Sequence, residues 1–353
     1  MEITAETYTP KLGLSEATEL YKQLHARICA ARLFERSYLF YGLHALCVFT
    51  TLGAVYYLML ISQSALAFTA LAILLALCLT QLGGYMHDAA HMMIFKTRFM
   101  NNLFGGFCAS LIFMNYNSWK LKHAAHHAHP NQEGGDPDLE IPIFSFTETR
   151  YRSKTGLERW LRRYQTYLYF PVSFLLAYSL QFKNSIEYLV AKVKRRGFDL
   201  ASASELIVYL GGFFLWYVLP FLVFDHAKAI LFITIVPATS GFYIASVFAP
   251  NHKGMPVIDR KTKLSFLEQQ IITSRNIADN WFTDFIYLSL NYQIEHHLFV
   301  DCPRNKLKRV TPYVEELCRT RGLPFTVVGL RESFGVILEG LQSVVRQAEH
   351  PNK

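Results

Sequence analysis

The sequence predicts an all-α integral membrane protein, with four transmembrane helices in two hairpins, interfacial helices, and a cytoplasmic helical cap that carries a two-metal histidine site. Three observations lead there. Of 353 residues, 52% are hydrophobic and 15% aromatic but only 18% charged, an apolar balance for a soluble chain. Lys and Arg are missing between Arg36 and Lys96, and between Phe198 and His252 the only one is Lys228. Seven of the 13 histidines fall in three pentads, His87-Asp-Ala-Ala-His91, His123-Ala-Ala-His126-His127 and Gln293-Ile-Glu-His296-His297, close to the ends of apolar runs.

Residues 1–37 read as a cytoplasmic amphipathic segment, in which Ser15 is placed to cap an ordinary interfacial helix running through Leu20, Leu24 and Ile28. A membrane domain follows over 38–302, with spans at about 38–61, 65–86, 206–224 and 229–249. Tyr38–Ile61 and Ala65–Met86 are split by Ser62-Gln63-Ser64, and each approaches the ~20 residues that cross a bilayer, so they form a tight hairpin. Leu206–Phe224 and Ala229–Ala249, divided by Asp225-His226-Ala227-Lys228, form the second. Leu103–Met114 is too short to cross and reads as interfacial or re-entrant.

Tyr167–Phe182 is marginal in length, follows Arg159, Arg162 and Arg163, and contains Pro171. The first two pentads follow span two and the third follows span four, so a lone crossing by this segment would put the third on the opposite side. It is therefore expected to lie in the interface or to dip part way. Pro130–Asp138 is loop-forming. Residues 303–353 read as a cytoplasmic helical tail, with Thr311 as N-cap, Pro312 at the first helical position, Gly322 as a stop, and an amphipathic helix over Leu330–Ala348.

The net charge of +8 has neither a basic face nor a motif for nucleic acid, so no nucleic-acid partner is expected. Basic residues concentrate instead around the pentads and the termini, while the short hairpin loops carry one. By the positive-inside rule both termini and all three pentads are cytoplasmic, in a bacterial inner membrane or, for a eukaryotic chain, the endoplasmic reticulum. The first apolar run is too long and too late for a signal peptide. Six cysteines without a Cys-x-x-Cys pair, three of them in apolar stretches, argue against a disulfide framework.

On a helix, histidines at i, i+3 and i+4 project from one face, and neutral imidazole suits iron, copper, nickel and zinc. Seven such side chains exceed the needs of one tetrahedral zinc and point to two metals. His252, just beyond span four, is a candidate eighth ligand; His25, His44, His129, His226 and His350 read as ordinary interfacial side chains. Ala89, Ala90, Ala124 and Ala125 keep the pentads slim enough for helices to approach. No Glu-x-x-His occurs, which excludes the carboxylate di-iron scheme of soluble bundles, and no Walker, Rossmann, Gly-x-Ser-x-Gly or His-Glu-x-x-His motif competes. A histidine-rich pair of metals at a membrane edge fits a non-haem di-iron centre that activates oxygen against an unactivated C–H bond.

The set His-x3-His, His-x2-His-His and Gln-x2-His-His resembles the three histidine boxes of the membrane fatty acid desaturase family, and the glutamine resembles its front-end members. The stretches Asn291–Phe299, Cys302-Pro-Arg304, Leu323-Pro-Phe325, Gly135-Asp-Pro-Asp138 and Asn251-His252-Lys253-Gly-Met255 are similar to that group as well. The resemblance implies that His87, His91, His123, His126, His127, His252, His296 and His297 ligate two irons, with molecular oxygen as co-substrate. It implies that Gln293 is a weak or water-mediated ligand. It implies an acyl-CoA or acyl-lipid substrate among membrane lipids, and a cis double bond as product. No His-Pro-Gly-Gly of a fused cytochrome b5 domain is present, so electrons are expected from a separate donor of ferredoxin or cytochrome b5 type. Phe299-Val300-Asp301 stands where Phe-Pro is common in the family. A hydroxylase or ketolase on the same scaffold is the alternative function, and a non-enzymatic haem or metal-binding membrane protein the remote one.

Overall fold

The protein is described by a computed structural model covering Tyr8 and residues 10–350. It is helical almost throughout; the strands among the described residues are the two-residue pair Asn276–Ile277 and Val327–Val328, parallel to each other. Among the described residues two compact units form, one from residues 36–121 and 170–245, the other from Tyr8, 10–35, 122–169 and 246–350. The first is termed the span unit here, the second the polar unit.

Four helices are long and apolar enough to cross a membrane: Tyr38–Ile61, Ala65–Ala90, Leu200–Val223 and His226–His252. Span one buries only Tyr41, Val48, Val55 and Met59, positions spaced so that they fall along one face. The remainder points outward, with Leu39 75% exposed and Leu66 at the start of span two 81% exposed. An apolar face this open suits contact with lipid. Ser64 caps span two by accepting from the Ala67 N–H at 3.3 Å.

The observed spans outrun the apolar runs for local reasons. Span two continues to Ala90, so the first pentad is its last turn. Span three starts at Leu200 rather than Leu206 because the Asp199 carboxylate accepts from the Ser202 N–H at 2.7 Å and fixes the first turn. It contains a π-helical turn, Phe214–Val218, just before Pro220. Proline has no N–H to donate to the fourth residue back, and the wider turn absorbs that missing bond.

Tyr167–Phe182 forms no span. It breaks into Gln165–Ser173, Leu176–Tyr178 and a π-helical stretch, Ser179–Asn184. Its bend presses on Gly241 of span four, where a Cβ would lie 2.8 Å from the Ala177 backbone N and 3.0 Å from the Ser173 and Phe174 carbonyl oxygens. Leu103–Met114 belongs mostly to a helix, Arg98–Leu111, that packs on span two.

In the polar unit the first helix runs over Leu14–Ala30 and its N-cap is Gly13, not Ser15. Its stripe of Leu20, Leu24 and Ile28 is buried against helices Phe266–Ile272 and Leu307–Arg321, so the amphipathic face meets protein rather than an interface. The tail helix likewise begins at Leu307, not after Thr311. The break is set by Pro303 and a 3-10 turn over Arg304–Lys306, which leads into the helix and leaves Pro312 inside it. Gly322 ends that helix in the left-handed conformation, φ +63°, as expected. Leu330–Glu349 follows, burying Ile337, Leu341, Val344 and Val345. None of the six cysteines forms a disulfide.

Candidate metal centre

The second pentad lies on helix Tyr116–Ala128 and the third on the short helix Gln293–Leu298. The latter is pinned by Asn276, whose Oδ1 accepts from the Ile294 N–H at 3.0 Å and whose Nδ2 donates to Glu295 Oε2 at 2.8 Å. Burial pushes the Glu295 carboxyl up to about 7, against the Asn276 hydrogen bond that favours its charge. The four-residue spacing of His123 and His127 brings their Nε2 atoms to 3.0 Å. His296 joins that pair, its ring centroid 4.9 Å from that of His127.

A second group gathers His126, His252 and His297, all buried. Each ring has its Nδ1 tied to oxygen. His126 Nδ1 donates to Asp136 Oδ1 at 3.0 Å, His252 Nδ1 to the Thr273 carbonyl at 3.0 Å, and His297 Nδ1 to Gln270 Oε1 at 2.8 Å. A neutral imidazole with its proton on Nδ1 has a bare lone pair on Nε2. The partners thus fix one tautomer three times over and turn the Nε2 atoms inward, as outer-shell acceptors do for metal-binding histidines. His126 Nε2 and His252 Nε2 lie 3.3 Å apart. Two nitrogens each ~2.1 Å from one ion at a right angle would be separated by about 3.0 Å. The donor set and its spacing therefore fit a divalent cation of the imidazole-preferring kind.

Burial opposes charge on His126, but the hydrogen bond and charge of Asp136 outweigh it and raise the pKa above the ordinary imidazole value. Asp136 is driven far below the usual carboxylate range despite its own burial, by the His126 hydrogen bond and charge. It also accepts from the Asn131 N–H at 2.8 Å and the Asp138 N–H at 2.8 Å. Gln270 braces two segments, since its Nε2 donates to the His127 carbonyl at 3.2 Å while its Oε1 holds His297.

In the span unit His87 and His91 face each other with ring centroids 4.7 Å apart. His87 Nδ1 donates to Asp88 Oδ1 at 3.0 Å, and Asp88 Oδ2 accepts from the Tyr41 hydroxyl at 3.0 Å. The same carboxylate-backed pattern therefore recurs on the first pentad. Gln293 lies beside His252, the two Nε2 atoms 2.9 Å apart. The five remaining histidines join no metal-binding group among the described residues. His25 stacks on Phe34, and His44 hydrogen-bonds the Tyr85 hydroxyl.

Asp88 and Asp136 lie inside motifs visible in the sequence, but their partnership with histidine was not read from it. Gln270 and Thr273 carry no local signal at all, and Asn251 stands in a family-like stretch with no role assigned to it. They are recognisable only once the fold brings them beside the rings.

These features make up an all-helical protein with four helices able to span a membrane and histidine groups that could hold a metal. A sequence model of the family described as fatty acid desaturase matches residues 63–329. The chain belongs to that family, and it is an oxidoreductase. Among its relatives, a Delta(8)-fatty-acid desaturase of Euglena gracilis is 29% identical over 96% of this chain and 82% of its own length. A Delta(5) fatty acid desaturase of Caenorhabditis elegans is 27% identical over 95% of this chain and 75% of its own. An acyl-lipid (9-3)-desaturase of Physcomitrium patens is 27% identical, covering 93% of this chain and 63% of its own. The front-end character expected from Gln293 agrees with these relatives.

Proposed function

We propose that this protein is an oxygen-dependent front-end acyl desaturase whose two irons are held by His87, His91, His123, His126, His127, His252, His296 and His297. The observation that carries this reading is the trio His126, His252 and His297, each with Nδ1 committed to an oxygen acceptor and Nε2 turned to a common point. His123, His127 and His296 supply the second cluster of nitrogens, and the resemblance of the first pentad to a desaturase box adds His87 and His91. Irons bound there would supply oxygen activation: molecular oxygen, two electrons and two protons accept two hydrogens from adjacent acyl carbons, leaving a cis alkene and two waters.

The chain's own residues have separate tasks. Asp136, the Thr273 carbonyl and Gln270 hold the proton on Nδ1 of their histidines and keep Nε2 available. The acyl chain would lie in a tunnel between the spans, where Leu, Phe and Tyr side chains fix its path. Fixing the chain in such a slot decides which carbons react, and correct placement lowers the barrier by several kcal/mol. The substrate is an acyl-CoA or acyl-lipid. The electron donor is an acidic protein module of ferredoxin or cytochrome b5 type, drawn by the cationic surface. The concentration of basic residues beside the pentads supports a cytoplasmic site and cytoplasmic termini.

The test is expression in a host that lacks polyunsaturated fatty acids, fed defined acyl chains, with products read by mass spectrometry. A new double bond between an existing one and the carboxyl end is expected. A hydroxylated product with no alkene would replace desaturation by oxygen insertion.

A further inference from the structure

Gln293 opens the third pentad, and the sequence leaves two roles for it, direct ligand or partner through a bound molecule. Its neighbours decide between them. The Asn251 Nδ2 donates to the Val247 carbonyl at 3.2 Å and to the Leu290 carbonyl at 3.0 Å. Reversing that amide would set an oxygen against two carbonyl oxygens, so the nitrogen assignment is fixed by the backbone. The same Nδ2 lies 3.0 Å from Gln293 Oε1, which must therefore accept. Gln293 is left with its Nε2 toward His252 Nε2 at 2.9 Å. His252 has already given its Nδ1 proton to the Thr273 carbonyl, so its Nε2 is the acceptor. Asn251, Gln293 and His252 are all buried, and water does not compete for these bonds.

We propose that Gln293 is not an iron ligand but a hydrogen-bond donor, aimed by Asn251 at the position on the metal beside His252 where a small exogenous ligand binds. A glutamine offers a metal only its oxygen, and here that oxygen is engaged on the far side. When His252 Nε2 is taken up by a metal, the Gln293 N–H loses that acceptor and, its oxygen still held by Asn251, turns to donate to a small anion or water bound there. Asn251 is a positioning residue, since it acts only through the orientation of Gln293. This inference rests on the iron reading above and assigns a role within that site.

The experiment uses the purified, iron-loaded full chain with azide as the probe, titrated by its charge-transfer absorption. Iron per chain is measured on the same samples. For Gln293→Met the expected result is unchanged iron content and azide binding weakened about tenfold, the scale of one lost hydrogen bond to a charged group. Asn251→Ala should retain iron and weaken azide in the same direction, because the freed amide no longer holds its N–H in place. If Gln293→Met does not fold, as judged by size exclusion and thermal melting, the Asn251→Ala result decides alone. Loss of iron in the Gln293→Met protein would make Gln293 a ligand and overturn the proposal, and so would azide affinity unchanged in the folded variants. A wild type that binds no iron would overturn the metal reading itself, and this inference with it.

Discussion

The two units of the molecule each have an apolar core but differ in the polar side chains they bury with it. The span unit has a core of Val48, Val55, Phe68, Leu75, Leu82 and their like, and turns Leu39, Leu66 and Leu200 outward. The polar unit buries Asn251, Glu268, Gln270, Arg275, Asn276 and Glu295 together with His126, His252, His296 and His297. An apolar core tolerates change in proportion to volume. A buried polar network fails by single bonds, because each unpaired group retains its full desolvation cost. The difference teaches where function is kept: stability in the span unit is spread over many contacts, whereas in the polar unit each bond orients a particular atom.

That contrast can be broken or sharpened by substitution. The largest effect is expected from Asp136→Asn. Both oxygens of Asp136 accept backbone N–H groups as well as His126 Nδ1, so either orientation of an asparagine sets its NH2 against a donor. Iron affinity should fall by about 10–100-fold, the usual cost of losing an outer-shell partner, measured by competition with a chelator. An unchanged affinity would mean that the His126 orientation is set by packing alone.

Arg275→Met is the next test, read as stability. The guanidinium donates to the carbonyls of Pro250, Lys253 and Ser333 deep in the polar unit. Burial lowers its pKa, to about 10, a value at which the group is still charged at neutral pH. Losing these buried hydrogen bonds should cost roughly 3 kcal/mol, seen as a fall in the melting temperature of the detergent-solubilised protein.

Gly241→Ala probes the span unit and should have a smaller effect. Its methyl would meet the backbone of Ser173, Phe174 and Ala177, which must shift to admit it, at roughly 1–3 kcal/mol. Iron content should not change. Iron loss in Gly241→Ala matching that in Asp136→Asn would erase the distinction drawn between the units.

The same contrast explains what the sequence made legible. Spans announce themselves because a lipid-facing helix needs an unbroken apolar run, and the Lys- and Arg-free windows located all four. The pentads stood out because histidine is rare and their spacing repeats a helical face. The helix Leu14–Ala30 was half legible: its stripe was plain, but an amphipathic stripe fits lipid and protein equally, and only the fold shows Leu20 and Leu24 against Val310 and Val314. Thr311-Pro312 misled because a local start signal was overridden by the stronger break at Pro303. The outer partners were silent. Thr273 and Gln270 lie 21 and 27 residues from the rings they hold, with no periodicity to mark them.

The most direct test of the central claim is the iron content of the purified protein, measured by mass spectrometry for the wild type and for His126→Ala. The account predicts two irons per chain in the wild type and at most one in the variant, with desaturation lost. A wild type carrying a single zinc, or a variant that keeps both irons, would contradict it.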